Sequence, residues 1–176
     1  MRTIIFILIV SFLSGCGYTT RSMIDPNIKT IYIKPFENKI DFGAEDSTYR
    51  KLRTYYPRLE IDITNSVVSR FLFDGNLKVV KEKDADVILN GELIEYRRDV
   101  LRYDEGENVE EYRLNIVVNI SLWNVKEDEA IWIEDGFTGE TTYFISGSQA
   151  KSESTAIKAG ITDLSSRIVA RTVENW

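Results

Sequence analysis

The sequence predicts an α+β fold: a mostly antiparallel sheet with two helices packed on one face, a two-layer sandwich. Three observations carry this. From Tyr112 to Leu122 the apolar Tyr112, Leu114, Ile116, Val118, Ile120 and Leu122 alternate with the polar Arg113, Asn115, Asn119 and Ser121, as in a strand with one dry face and one wet face. Ile63, Val67 and Phe71 recur at every fourth position, the spacing of a helix with one buried side. Ile157, Ile161, Leu164, Ile168 and Thr172 mark a second helical face toward Trp176. The order strand, helix, several long strands, helix places both helices on the same side of the sheet.

Residues 1–15 read as an address rather than as part of the fold. Arg2 is followed by the apolar run Ile4 to Val10 and by the small residues Ser14 and Gly15, the layout of a cleavable secretory signal. A permanent span needs about 20 apolar residues, and this run is broken at Ser11. Leu13-Ser14-Gly15-Cys16 resembles the bacterial lipoprotein signal, in which cleavage leaves the Cys as an acylated first residue. Cys16 is the chain's single cysteine. The competing reading, a buried free thiol, fits poorly because Gly17, Tyr18, Thr19 and Thr20 provide no apolar pattern to cover it. Two or more acyl chains anchor stably where one does not. Gly17 stands where an Asp would mark retention at the inner membrane, so the expected address is the outer membrane.

Residues 16–27 then form a lipidated tether, and residues 28–176 a single domain. IKTIYIKPF at 28–36 alternates until Pro35, which ends the strand or puts it at an edge. Residues 37–58 are charged and Tyr-rich without a period and read as a long loop. Leu59 to Phe73 is the first helix, with Ile61, Val68 and Leu72 expected to widen the Ile63 face, and Asp74-Gly75-Asn76 supplies a glycine stop. LKVV at 77–80 returns to extended chain. In the next strand Val87, Leu89, Gly91 and Leu93 fall on one side, with Asn90, Glu92 and Tyr96 on the other. Glu105 to Asn108 make a turn, Tyr112 to Leu122 the clearest strand, Lys126 to Asp128 a hairpin tip, and Ala130 to Glu140 the returning strand. After the connector Ser146-Gly147-Ser148, Ser152 is placed to cap the second helix. Gly160 inside that helix implies close approach to the sheet.

Composition narrows the chemistry. The 176 residues hold 22 basic and 28 acidic side chains and no histidine. Without residues 1–15, which contain Arg2 and no acid, 161 residues remain, enough for a real core. The acidic balance opposes nucleic-acid binding. The lack of His removes the usual general base and every Ser-His arrangement. With Cys16 acylated there is no disulfide. The clusters Asp84 with Asp86, and Asp104 with Glu105 and Glu107, lack a calcium-loop spacing and read as solvated turn charge. No phosphate-binding glycine loop or nucleophile elbow occurs. The expectation is a protein without catalytic residues, cofactor or metal. Two basic groups stand out: Arg50, Lys51, Arg53 and Arg58 in the loop, and Arg97, Arg98 and Arg102 along a strand. Their planar cations match phosphate oxygens, although charged side chains also serve to guard sheet edges. Trp123, Trp132 and Trp176 read as core or rim packing.

Several segments together resemble the LptE family of lipopolysaccharide-assembly lipoproteins. They are GCGY at 15–18, PFENK at 35–39, LEIDITNSVVSRFL at 59–72, ADVILNGELIEY at 85–96, YRLNIVVNISLWNV at 112–125, IWIEDGF at 131–137 and a long terminal helix. The resemblance implies a sheet backed by two helices that plugs the LptD β-barrel, assists its assembly, and helps lipopolysaccharide reach the outer leaflet. It further implies residence on the periplasmic side of the outer membrane and in the barrel lumen. A wet sheet face suits such a polar lumen. Arg97, Arg98 and Arg102 are the candidate lipopolysaccharide contacts, and the loop 41–58 is longer than the family's usual connection. The alternative is an independent periplasm-facing lipoprotein that binds an anionic lipid or glycan. An enzyme acting on envelope polymers would require two close carboxylates in a pocket.

Overall fold

A computed structural model describes residues 25, 27–40 and 56–174. Cys16, Arg50, Lys51, Arg53 and Trp176 lie outside these residues, as does most of the 41–58 loop. Chain order runs β1 (Thr30–Ile33), β2 (Glu37–Asn38), α1 (Leu59–Asp74), β3 (Lys78–Val79), a 3₁₀ turn at Glu82–Asp84, β4 (Val87–Tyr103), β5 (Val109–Asn124), β6 (Glu129–Phe144) and α2 (Glu153–Glu174). The strands form one mixed sheet in the order β3-β1-β4-β5-β6, with β2 also on β4. Two α-helices and a mostly antiparallel sheet make this an α+β fold.

The antiparallel half is a long meander. β4 and β5 pair from Val87↔Asn124 to Tyr103↔Val109, and β5 and β6 from Asn124↔Glu129 to Glu111↔Phe144. β1 instead lies parallel to both β3 and β4. Parallel neighbours cannot be joined by a tight turn, and α1 supplies the crossover between β1 and β3. β1 ends just before Pro35, with Lys34 N–H donating to Leu89 O at 3.0 Å.

Both helices cover one face of the sheet. The core between the layers is filled by Ile31, Leu89, Leu114, Ile116 and Leu122 from the strands. Ile63, Val67 and Phe71 enter it from α1, and Ile157, Leu164 and Ile168 from α2. Each such side chain contributes roughly 1.5–3 kcal/mol through burial, which lets the domain stand without crosslinks. Ser66 Oγ donates to Ser165 Oγ at 3.0 Å where the helices meet.

The α1 face is narrower than its sequence suggested. Ile61 is 40% exposed and Leu72 65% exposed. At 3.6 residues per turn they lie about 120° and about 140° round the helix from the centre of the Ile63–Phe71 stripe, on the solvent side. Gly75 ends α1 as expected, at φ 76° with its N–H donating to Phe71 O at 3.0 Å. Ser152 caps α2, accepting from Thr155 N–H at 3.2 Å.

Gly160 does mark a close helix-to-sheet contact, and its counterpart is Gly139 on β6. A Cβ at Gly160 would meet Leu114 Cδ2 at 3.3 Å. At Gly139 it would meet Leu164 Cβ at 2.5 Å and Gly160 O at 2.8 Å. Two missing side chains thus let α2 lie directly on the β6 backbone.

Candidate functional site

Tyr96 does not lie on the wet face where simple alternation put it. The β4–β5 register shifts between Leu93 and Glu95, and the extra residue of this bulge reverses which face each later side chain takes. Tyr96 is therefore buried beneath α2. This shift turns Arg98 inward and Arg97 outward, and a second shift between Val100 and Arg102 returns Arg102 to the face of Arg97.

Arg98 points toward the helices. Its Nη1 donates to Glu153 Oε2 at 2.7 Å, Tyr96 Oη–H donates to Glu153 Oε1 at 2.8 Å, and the guanidinium lies 4.5 Å from the Tyr112 ring centroid. Glu153 occupies the first turn of α2, where the helix dipole also favours a carboxylate. Burial, then the hydrogen bond to Glu153, pushes the Tyr96 phenol far above its ordinary value, so it acts only as a neutral donor. Burial also raises Tyr143, with Arg98 acting in the opposite direction. This cluster joins residues more than 50 positions apart, and the sequence carries no local sign of it.

Arg97 projects onto the open face. Its Nε donates to Asp99 Oδ2 at 2.9 Å and its Nη1 reaches Glu95 Oε2 at 3.2 Å, while Asn115 Nδ2–H donates to the same Asp99 oxygen at 3.0 Å. Arg102 shares that face through Glu111, whose Oε2 is 3.6 Å from its Nη2, and lies 5.5 Å from the Phe144 ring centroid. Arg113 is there too, 3.3 Å from Glu140. The three predicted contacts are therefore split, Arg97 and Arg102 on one face and Arg98 on the other. Arg97 sits between two carboxylates and offers an anion little net attraction. Arg102, with 59% of its side chain exposed and a loose single partner, is the most accessible of the three. Arg58 begins α1 at φ 67° and belongs to neither group.

The open face also holds a shallow trough of ≈ 370 Å³ lined by Lys34, Asn90, Glu92, Asn119, Ser121 and Ile133, among others. Its lining is polar: beside the amides it carries the carboxylates of Glu37, Glu92 and Asp135, with Glu37 opposite Glu92 in the β2–β4 register and ion-paired with Lys39 at 2.9 Å. The acidic clusters have structural work. Asp86 Oδ2 accepts from the N–H groups of Lys29 and Thr30, each at 2.9 Å, and from Thr30 Oγ1 at 2.7 Å. These bonds hold its carboxyl below the usual carboxylate range, the Lys29 backbone N–H first among them. Asp104 Oδ1 accepts from Gly106 and Asn108 N–H at 2.8 Å each. Among the described residues no group of three or more His, Cys, Asp or Glu could hold a metal ion. No described helix is long and apolar enough to cross a membrane.

The family model described as "LptE: Lipopolysaccharide-assembly" matches residues 28–172. No curated protein matches the chain. Among solved structures, the hypothetical protein CT253 from Chlamydia trachomatis is 14% identical, over 82% of this chain and 95% of its own, with TM-score 0.54. A Xanthomonas campestris protein is 13% identical, over 84% and 88%, with TM-score 0.54. A minor lipoprotein from Acinetobacter baumannii is 17% identical, over 84% and 92%, with TM-score 0.51. At these identities the likeness establishes the shared fold.

Proposed function

The chain belongs to the LptE family of lipopolysaccharide assembly, and from that membership we propose that it is an outer-membrane lipoprotein that plugs an LptD-type β-barrel. In this reading it is acylated at Cys16, assists assembly of the barrel, and aids insertion of lipopolysaccharide into the outer leaflet. The observation that carries the proposal is the family match, which runs from the approach to β1 through nearly all of α2.

The sheet supports the same reading. One face is sealed by two helices, and the other presents amides, hydroxyls and paired charges, a surface able to sit against the polar lining of a large barrel. Binding would then come from shape and distributed hydrogen bonds, with no catalytic centre. For lipopolysaccharide itself we assign the contact to Arg102 on the open face, where a guanidinium can exchange its loose Glu111 partner for a phosphate. Arg97 is held by two carboxylates, and Arg98 is committed to Glu153.

The test is purification of the full chain from native outer membranes in mild detergent. Recovery in a one-to-one complex with a large β-barrel supports the plug. Recovery alone, with lipopolysaccharide still bound, favours an independent lipid-binding lipoprotein instead.

A further inference from the structure

β6 lies at the end of the sheet, with β5 on one side. An open edge of 16 residues would offer a row of unpaired N–H and C=O groups, a standing invitation to another strand. Here two groups near its middle are occupied. Glu140 N–H donates to Asp163 Oδ2 at 3.0 Å, and the Arg167 guanidinium donates to Thr138 O. Asp163 and Arg167 lie one helical turn apart, 4.0 Å from each other. Together they present an acceptor to an N–H and a donor to a C=O two residues away, the pair of groups a neighbouring strand would present.

The C-terminal end of the strand is closed by other means. Lys151 N–H donates to Phe144 O at 2.8 Å, where the connector makes a single bridge from Ala150 back to β6. Between Glu134 and Phe137 the β5–β6 register shifts and Gly136 N–H turns to Asn119 Oδ1 of β5 at 3.0 Å, which breaks the regular run of outward groups a second strand would pair with. Gly139, between the two gripped residues, is the position where a Cβ would drive α2 away.

We infer that α2 serves as a side-chain strand, its Asp163 and Arg167 closing the β6 edge against pairing with a second copy of this chain. Asp163 and Arg167 side chains are 42% and 51% exposed, and an exposed pair of this kind adds little stability, so edge closure is the effect that distinguishes them. The occupant excluded is a second copy because each copy would bring the same long strand, giving a self-complementary antiparallel junction. Ile133, 67% exposed on the same strand, would add apolar area to it. β6 also carries Glu129, Glu134, Asp135 and Glu140 without a basic residue, and this repulsion reinforces the closure at low salt. The inference stands apart from the barrel reading above.

The test uses the full acylated chain in detergent micelles. With roughly 0.5 M salt to screen the acids, Asp163→Ala/Arg167→Ala should sediment as a concentration-dependent dimer where the wild type stays monomeric. Adding Thr142→Pro, two residues on from Glu140 and so with its N–H on the same outward edge, should abolish the dimer. A double variant that stays monomeric, or a dimer that survives Thr142→Pro, overturns the inference. As a second reading, Asp163→Ala alone should speed exchange of the Glu140 amide about tenfold while the Gly139 amide, on the β5 side, keeps its rate. Unchanged Glu140 exchange counts against the closure.

Discussion

Replacing Gly139 by Ala should loosen the contact on which the helical layer sits. The new Cβ would lie 2.5 Å from Leu164 Cβ, 2.8 Å from Gly160 O and 2.9 Å from Leu164 Cα. Carbon atoms rest at about 3.5–4.0 Å, so α2 must retreat by about 1 Å. Two of the three obstacles are backbone atoms, which cannot swing aside. Overpacking of this kind costs about 1–3 kcal/mol, and Ala in place of a strand Gly recovers roughly 0.5–1 kcal/mol. The difference spans about 0–2.5 kcal/mol, and two backbone obstacles under 3.0 Å put it near the upper end, about 2 kcal/mol, or a fall in Tm of about 4–8 °C for a domain of this size. The assay is thermal unfolding followed by circular dichroism, with Gly136→Ala as the control. Gly136 has nothing within 4 Å but sits at φ 69°, so its cost of about 1 kcal/mol comes from the backbone and leaves α2 in place. Exchange at the Glu140 amide separates the two, since only Gly139→Ala should pull Asp163 away from it. An unchanged or higher Tm for Gly139→Ala would refute the reasoning.

Glu153→Gln should destabilise the domain by about 2 kcal/mol, measured by urea unfolding, because Arg98 and Tyr96 both lose their charged partner under α2. Asp86→Asn should cost stability with a definite pH dependence. The folded carboxyl titrates below its unfolded value of 3.8, so its contribution is fully present above that pH and disappears as pH falls through the lower folded value. Urea midpoints for the two proteins should therefore differ at pH 7 and converge in strong acid. Arg102→Glu should weaken lipopolysaccharide binding in a salt-sensitive manner, while Arg98→Glu should show itself first as lost stability, the two compared by binding and unfolding measurements on the same samples. Cys16→Ser should abolish metabolic incorporation of radiolabelled palmitate and release the chain from the membrane fraction.

What could be read from the sequence was whatever obeys a local period. The alternation from Tyr112 to Leu122, the four-residue spacing of Ile63, Val67 and Phe71, the Gly75 stop and the Ser152 cap all reappear in the fold. Gly160 pointed correctly to a close contact, although its partner, Gly139, emerges only when α2 is laid on the sheet. Errors arose where geometry depends on distant pairing. A bulge after Leu93 turned Tyr96 inward, and nothing in LNGELIEYRR marks that extra residue. Ile61 and Leu72 looked like core because they are apolar, yet their angle on the helix is wrong for it. The parallel pairing of β1 with β3 and β4 follows from the path of α1, which periodicity does not encode. Arg97 and Arg98 looked like one basic patch as neighbours in sequence, and adjacent strand residues necessarily face opposite ways. Arg98's true partner, Glu153, lies 55 positions away.

A tethered scaffold that works by fitting another protein makes one demand above all, that the other protein be found with it. Native mass spectrometry of the complex extracted from outer membranes measures this most directly. A single mass containing one acylated copy of this chain and one large β-barrel is the predicted result, and an acylated chain that emerges with no barrel under the gentlest extraction would contradict it.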